Sequence, residues 1–404
     1  MPETSKRIEA AVKPELLQWA RESAGFELEE AARKIRVKPE RLESWERGER
    51  RPTIKQLRKL GGVYKRPLAV FFLSKTPKKF KAIHDFRRLP GEVAGLASPQ
   101  LRVEIRRARY RRQVALDLFA LRGQSPPTLD AQASISEDPE EVATRTRKLL
   151  GVTHEMQTGF RDHYDALNTW RAAIEQLGVL VFQARDVDVA EMRGFSLADE
   201  PLPVVVANIK DAPRGRVFTM LHEFVHLMLH EEGLCDLSEH VSVPPEERKV
   251  EIFCNHVAGA ILMPQTAIFS DALVHEHDRE PVWENEELAA LARRYQVSQE
   301  AMLRRLLVLG QTTQAFYQIK REEFLKAYRD RDQEGSDREG GFAPPYRMAV
   351  ATAGPGFVRL VLDSYYNERI TASDLSDFLD VRLKHMPRIE EAVFGRQIEF
   401  GAAN

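Results

Sequence analysis

The clearest apolar pattern in the chain runs Phe218-Thr219-Met220-Leu221-His222-Glu223-Phe224-Val225-His226-Leu227-Met228-Leu229-His230. Phe218, Leu221, Val225 and Leu229 recur at helical spacing, which predicts a buried helix with an apolar back. A second apolar helix is expected from Val250 to Met263; it carries one isolated acid, Glu251, and Pro264 terminates it. Upstream, Pro203-Val204-Val205-Val206-Ala207-Asn208 predicts a strand, preceded by Met192-Arg193-Gly194-Phe195-Ser196, and Val179-Leu180-Val181-Phe182 predicts a buried one.

The rest of the chain is patterned for helices. Pro14 to Ala24, Leu28 to Ile35, Pro39 to Arg47 and Ile54 to Leu60 read as short amphipathic helices broken by Gly25, Val37-Lys38, Gly48 and Gly61-Gly62. Such an order suits a helix-turn-helix bundle. Leu101 to Leu121, Glu140 to Leu150 and Trp170 to Leu177 are helical by period. Glu286 to Tyr295 and Gln299 to Leu306 form a helix pair, with Ser298 as N-cap of the second. Its reading as a second helix-turn-helix competes with a packing unit that closes the central domain. A small helical tail is expected over Gly354 to Leu379, with Thr371 as an N-cap.

These elements add up to an α+β, predominantly helical protein of several parts. We divide it into a helix-turn-helix domain at 1–75, a basic connector at 76–100 and a central domain at 101–270. A helical extension at 271–317, a charged linker at 318–340 and a small C-terminal module at 341–404 follow. At 404 residues the chain has room for two or three cores. The net charge of −1 hides a split: residues 1 to 112 hold 29 Lys and Arg against 14 Asp and Glu, leaving about −16 on the remainder. That asymmetry suggests a basic interaction module on an acidic body.

Two cysteines, Cys235 and Cys254, argue against a disulfide framework and fit a reducing cytoplasm. Met1 to Val12 is charged and lacks the apolar core of a signal peptide. The apolar run near Pro67 to Leu73 falls far short of a membrane span.

Chemistry concentrates in the first helix. His222 and His226, four residues apart, project from one helix face about 6 Å apart, within reach of one tetrahedral ion. Glu223 is rotated by about 100° from His222, where it can take a proton from a water whose pKa zinc lowers. Glu251 supplies a third ligand, because a lone carboxylate on an apolar helix is costly unless paired or metal-bound. Two His and one Glu leave a fourth position open, as catalytic zinc requires. Asn255, four residues after Glu251, is expected to orient a ligand imidazole. The strand ending at Asn208 is expected at a sheet edge beside this helix, holding an extended substrate backbone.

Other histidines carry weaker readings. His230 reads as a helix-end residue rather than a ligand, and His240 and His256 as structural or solvent-facing. His154, His163, Tyr164 and His240 are candidates to stabilise an oxyanion, with none singled out.

Residues 193 to 264 resemble the ImmA/IrrE family of zinc metallopeptidases. Gly194-Phe195-Ser196, Pro203 to Asn208, Arg216 to Glu223, and Glu251 through Cys254-Asn255 to Leu262-Met263-Pro264 fall in the family's order. Cys254 stands where that family usually has Ala, and Val257 where it has Phe. The resemblance implies a small gluzincin-like zincin with His222, His226 and Glu251 as ligands and Glu223 as base. Zn²⁺ is the expected ion and Mn²⁺ the second candidate. It further implies a cytoplasmic, stress-responsive peptidase that cleaves a transcriptional repressor or antitoxin-like partner.

Ala31 to Thr53 resembles the XRE-type helix-turn-helix of phage-repressor-like regulators, chiefly in Trp45-Glu46-x-Gly48 and Arg51-Pro52. That places Arg41 and Ser44 near base edges and Arg36, Lys38, Arg50 and Arg51 near phosphates. Glu40 and Glu43 on the same helix argue for protein docking instead. The leading expectation is therefore a regulatory zinc endopeptidase with a DNA-binding-type domain and no membrane contact. The alternative is a non-proteolytic DNA-binding regulator or antitoxin using the zincin fold as a docking scaffold. Oligomeric state stays open, a dimer being one option.

Overall fold

The computed structural model describes residues 9–24, 26–64, 68–73, 84–85, 98–230, 233–235, 245–277, 281–336 and 343–395. The chain divides into two units, residues 1–82 with 92–107, and residues 83–91 with 108–404.

In the first unit the short periodic segments fold as α1 (Pro14–Ala24), α2 (Leu28–Ile35), α3 (Pro39–Glu46) and α4 (Ile54–Tyr64), followed by a 3₁₀ turn over Leu68–Phe72. Their apolar positions meet in one core that includes Leu17, Ala31, Ile35, Leu42, Trp45 and Leu57. The turn after α3 needs Gly48: its φ is +77°, and a Cβ there would lie 2.8 Å from Pro14 Cγ. Arg21 on α1 donates from Nε to Glu46 Oε1 on α3 at 2.9 Å, which fixes the angle between those helices. α5 (Pro99–Leu121) runs from this unit into the second.

The second unit contains α6 (Pro139–Leu150), α7 (His154–Thr158), α8 (His163–Gln176), α9 (Pro213–Met228) and α10 (Pro245–Leu262). Asp138 caps α6 by accepting from Glu140 N at 2.8 Å, and Gly151 ends it at a φ of 67°. Its sheet consists of β1 (His84–Asp85), β2 (Leu180–Ala184), β3 (Gly194–Leu197), β4 (Val204–Asn208) and β5 (Gly233–Cys235), in the order β1-β5-β3-β4-β2. β2 and β4 are parallel, and β3 is antiparallel to both β4 and β5. This corrects one expectation. The strand ending at Asn208 is not an edge: all five of its residues are buried and it has a neighbour on either side. Its unbroken Val-Val-Val-Ala run suits a strand covered on both faces rather than a half-exposed one.

α9 is buried because it lies against β3, β4, α8 and α10 at once. One core joins α8, α9, α10 and β4 to α13 (Asn285–Arg294) and α14 (Gln299–Val308), which follow α11 (Gln265–Phe269) and α12 (Ala272–Glu276). Leu288, Leu291, Leu303 and Leu306 share that core with Phe224 and Phe253, so the helix pair packs as part of the central domain. Ser298 caps α14 by accepting from Ala301 N at 3.1 Å. The charged stretch beginning at residue 318 is helical: α15 spans Gln314–Ser336. Lys, Arg and Glu are good helix formers, and charge density alone does not distinguish a solvated helix from a linker.

The tail folds as α16 (Pro345–Ala353), α17 (Pro355–Tyr366), α18 (Ala372–Leu379) and α19 (Met386–Phe394), with Thr371 capping α18. It rests on β2 and α8. At the α16–α17 corner, Arg111 and Arg171 donate to Thr352 O and Ala351 O at 2.9 and 3.1 Å. Glu175 accepts from Gly356 N at 3.2 Å. Cations thus meet the carbonyl end of α16 and an anion meets the amide end of α17, as the helix dipoles favour. Among the described residues no helix is long and apolar enough to cross a membrane.

Candidate metal centre and catalytic site

Pro213 opens α9 at its first helical position, and the helix then carries His222 and His226 on one face. Both imidazoles are fully buried. Their Nε2 atoms lie 3.1 Å apart. Glu251, near the start of α10, brings Oε2 to 3.4 Å from His222 Nε2 and Oε1 to 3.2 Å from His226 Nε2.

The fit of an ion can be judged from these distances. Ligands about 2.0–2.1 Å from a tetrahedral ion are separated from one another by about 3.3–3.4 Å. The two imidazole nitrogens lie 3.1 Å apart and meet the two different oxygens of Glu251 at 3.2 and 3.4 Å, close to that edge, and one donor atom from each residue lies within 4.8 Å of the others. Two imidazole nitrogens and a carboxylate also make a donor set suited to zinc or manganese. Burial alone would raise the Glu251 carboxyl, but the charges and hydrogen bonds of His222 and His226 hold it below the usual carboxylate range.

Glu223 is wholly buried beside this cluster. Its position depends on Gly194 of β3. A Cβ on Gly194 would lie 2.3 Å from Thr219 Cγ2, 3.0 Å from Val206 O and 3.1 Å from Glu223 Oε1. Glycine therefore lets the strand approach the helix at the level of the base. The sequence placed Gly194 before a strand but gave it no role. Thr219, one turn before Glu223, and Ser196, two residues after Gly194, are buried with hydroxyls that find no hydrogen-bond partner among the described residues.

Asn255 departs from expectation. It lies one turn beyond Glu251 on α10, past the residue that meets both imidazoles. Its Oδ1 is buried without a hydrogen-bond partner among the described residues, so it does not accept from a ligand imidazole here. His230 is exposed just beyond α9 with φ 57°, the position of a helix-end residue. His256 holds Glu140 at 2.7 Å and is structural. Glu140 is also gripped by Arg305, with Nη1 and Nη2 at 2.6 and 2.7 Å, while Arg305 Nε donates to Met263 O at 2.8 Å. Arg305 ties α6, α10 and α14 together and was not singled out in the sequence. Of the oxyanion candidates, His154 stands against Tyr295 and His163 against Tyr164, with ring centroids 5.5 and 4.7 Å apart. Neither belongs to the His222–His226–Glu251 cluster. His240 lies outside the described residues.

In the first unit, Arg36, Lys38, Arg41, Arg50 and Arg51 are exposed around α3. Arg41 places its guanidinium 5.9 Å from the Trp45 ring centroid. Ser44 corrects the expectation of a base contact. It is 9% exposed and its hydroxyl donates to Arg41 O at 2.8 Å, because its side of α3 faces the bundle.

Residues 174–307 match the family described as an IrrE N-terminal-like domain, within the M78 peptidases. Residues 17–71 match the helix-turn-helix family. Comparison with curated proteins finds no match for the chain. The first match starts inside α8 and ends in α14, so it takes in the His222–Glu251 cluster and the helix pair packed behind it. This chain is therefore similar over residues 17–71 to the helix-turn-helix family and over residues 174–307 to the IrrE N-terminal-like domain of the M78 peptidases.

Proposed function

We propose that this protein is a metal-dependent endopeptidase of the cytoplasm that cuts a helix-turn-helix repressor or antitoxin-like partner, and that its own helix-turn-helix domain binds DNA. The observation that carries the reading is the buried cluster of His222, His226 and Glu251, whose nearest donor separations of 3.1–3.4 Å bring all three residues within reach of one ion. His222, His226 and Glu251 would hold that ion, with zinc the first choice. When bound, it lowers the pKa of a water and polarises a peptide carbonyl.

The remaining chemistry belongs to the chain. Glu223 accepts the proton of the attacking water and returns it to the departing amide nitrogen. Its burial between α9 and β3 fixes the carboxylate, so little reorientation is needed during proton transfer. The basic helix-turn-helix unit favours one selective cut over general digestion, since it brings the peptidase to regulatory DNA.

The test is cleavage of helix-turn-helix proteins encoded beside this chain. Wild type should cut one such partner at a defined bond. Glu223→Gln should keep its metal and lose roughly 10²–10⁴-fold in rate. Cleavage at the wild-type rate by that variant would refute the assignment.

A further inference from the structure

A cavity of about 430 Å³ opens in the second unit between α7, α11, α12 and α13, bounded by His154, Thr266, Ser270, Asp271, Arg294 and Tyr295. That volume lies in the range of small-molecule sites. We propose that it binds a small anion carrying a phosphate or carboxylate group. It is distinct from the His222–Glu251 centre. Glu251 lies in the first half of α10 and Leu262 at its C-terminal end, about 16 Å apart along its axis, and the cavity adjoins the Leu262 end.

The donor balance around the cavity points to an acceptor-rich ligand. Tyr295 is 1% exposed, and its buried hydroxyl has no hydrogen-bond partner among the described residues. A buried hydroxyl left unpaired is costly, and a ligand oxygen would satisfy it. Arg147 lies close enough for its charge to act on both Tyr295 and His154, and its buried Nη2 also lacks a partner among the described residues. Against these donors stands one carboxylate, Asp271, and it is already engaged. Arg294 pairs with it, and Leu273 N donates to it at 3.1 Å. On the lining itself Arg294 and Asp271 balance each other, and the excess positive charge comes from Arg147, which acts on Tyr295 and His154 without itself lining the cavity.

Burial and the nearby Asp271 carboxylate push the Tyr295 phenol above its ordinary range, so it remains a donor at neutral pH. The His154 imidazole is pushed down by burial and by Arg147, and its ring supplies a flat wall. The wall is also tied to the catalytic domain. Gln157 Nε2 donates to Leu262 O at 2.9 Å and to Tyr295 O at 2.8 Å. An anion seated on Tyr295 therefore bears on the far end of the helix that carries Glu251.

Isothermal titration of the full chain with inorganic phosphate, and separately with acetate, tests the site. One of the two should bind saturably, phosphate indicating a phosphorylated ligand and acetate a carboxylic one. Tyr295→Phe keeps the buried ring and should weaken that binding about tenfold with metal content unchanged. Arg294→Gln, a half-exposed position, should weaken it by a similar factor and guards against a packing effect at Tyr295. Saturable binding of neither anion would overturn the proposal. Binding untouched by both substitutions would overturn it as well, including the case of an anion held at the metal centre.

Discussion

Gly194 shows how closely the candidate site depends on single atoms. Any Cβ there would press on Thr219, Val206 O and Glu223 together, and one of those three, the Val206 carbonyl, cannot move without shifting a strand. Gly194→Ala should therefore lower the melting temperature, at a cost of roughly 1–3 kcal/mol, and slow cleavage through displacement of Glu223. Thermal unfolding and a rate measurement on the same sample would check both; a variant unchanged in each would contradict this role. The metal ligands were legible in the sequence because His222 and His226 share one helix face and Glu251 is an isolated acid in an apolar run. Gly194 was not, since its importance arises from a strand and a helix that meet only in the fold. Ser44 and Asn255 mark the same limit. Periodicity placed them on the right helices, but small rotations decided which partner each side chain meets.

At the scale of elements, two half-buried carboxylates join helices with opposite consequences for pH. Burial raises Glu140, but hydrogen bonds from Arg305 and His256 outweigh it and bring the group down to about 2. Its contribution is present above the unfolded-state value and is lost as the pH falls toward 2. Glu175, at the α16–α17 corner, is raised to about 7, chiefly by burial, against the opposing pull of Arg171 and the Gly356 amide. Below pH 4.5 it is neutral in both states. As the pH rises from there to 7 the unfolded chain ionises first, so Glu175 costs stability that stays lost above pH 7. Glu175→Gln should therefore be more stable than wild type at pH 8, by an amount on the order of 3 kcal/mol, with the gap closing near pH 4.5. Melting temperatures across that range would decide it; a constant gap would point to packing instead.

These joints were invisible in the sequence because each links segments more than a hundred residues apart. The α9 and α10 helices, by contrast, were plain from apolar period and from Pro264. The helix through residues 318–336 was masked by its charge, having few apolar residues to show a period.

For the whole molecule, the charge division is the property that most shapes behaviour. About +15 sits on residues 1–112 and about −16 on the rest. The exposed Arg36, Lys38, Arg41, Arg50 and Arg51 give the helix-turn-helix domain a basic face suited to phosphates. Binding of duplex DNA should weaken steeply with salt. Replacing Arg50 and Arg51 together with Ala should flatten the slope of log K against log salt by about 1–2 and affect all sequences alike. A slope unchanged by the double substitution would favour protein docking by this face.

The central claim is that His222, His226 and Glu251 together hold one divalent ion. Metal analysis of the purified full chain and of its Glu251→Ala variant tests it most directly. The predicted result is about one ion per wild-type chain, zinc foremost, and a small fraction of that in the variant. A metal-free wild-type chain, or a Glu251→Ala chain that retains its full complement of metal, would contradict it.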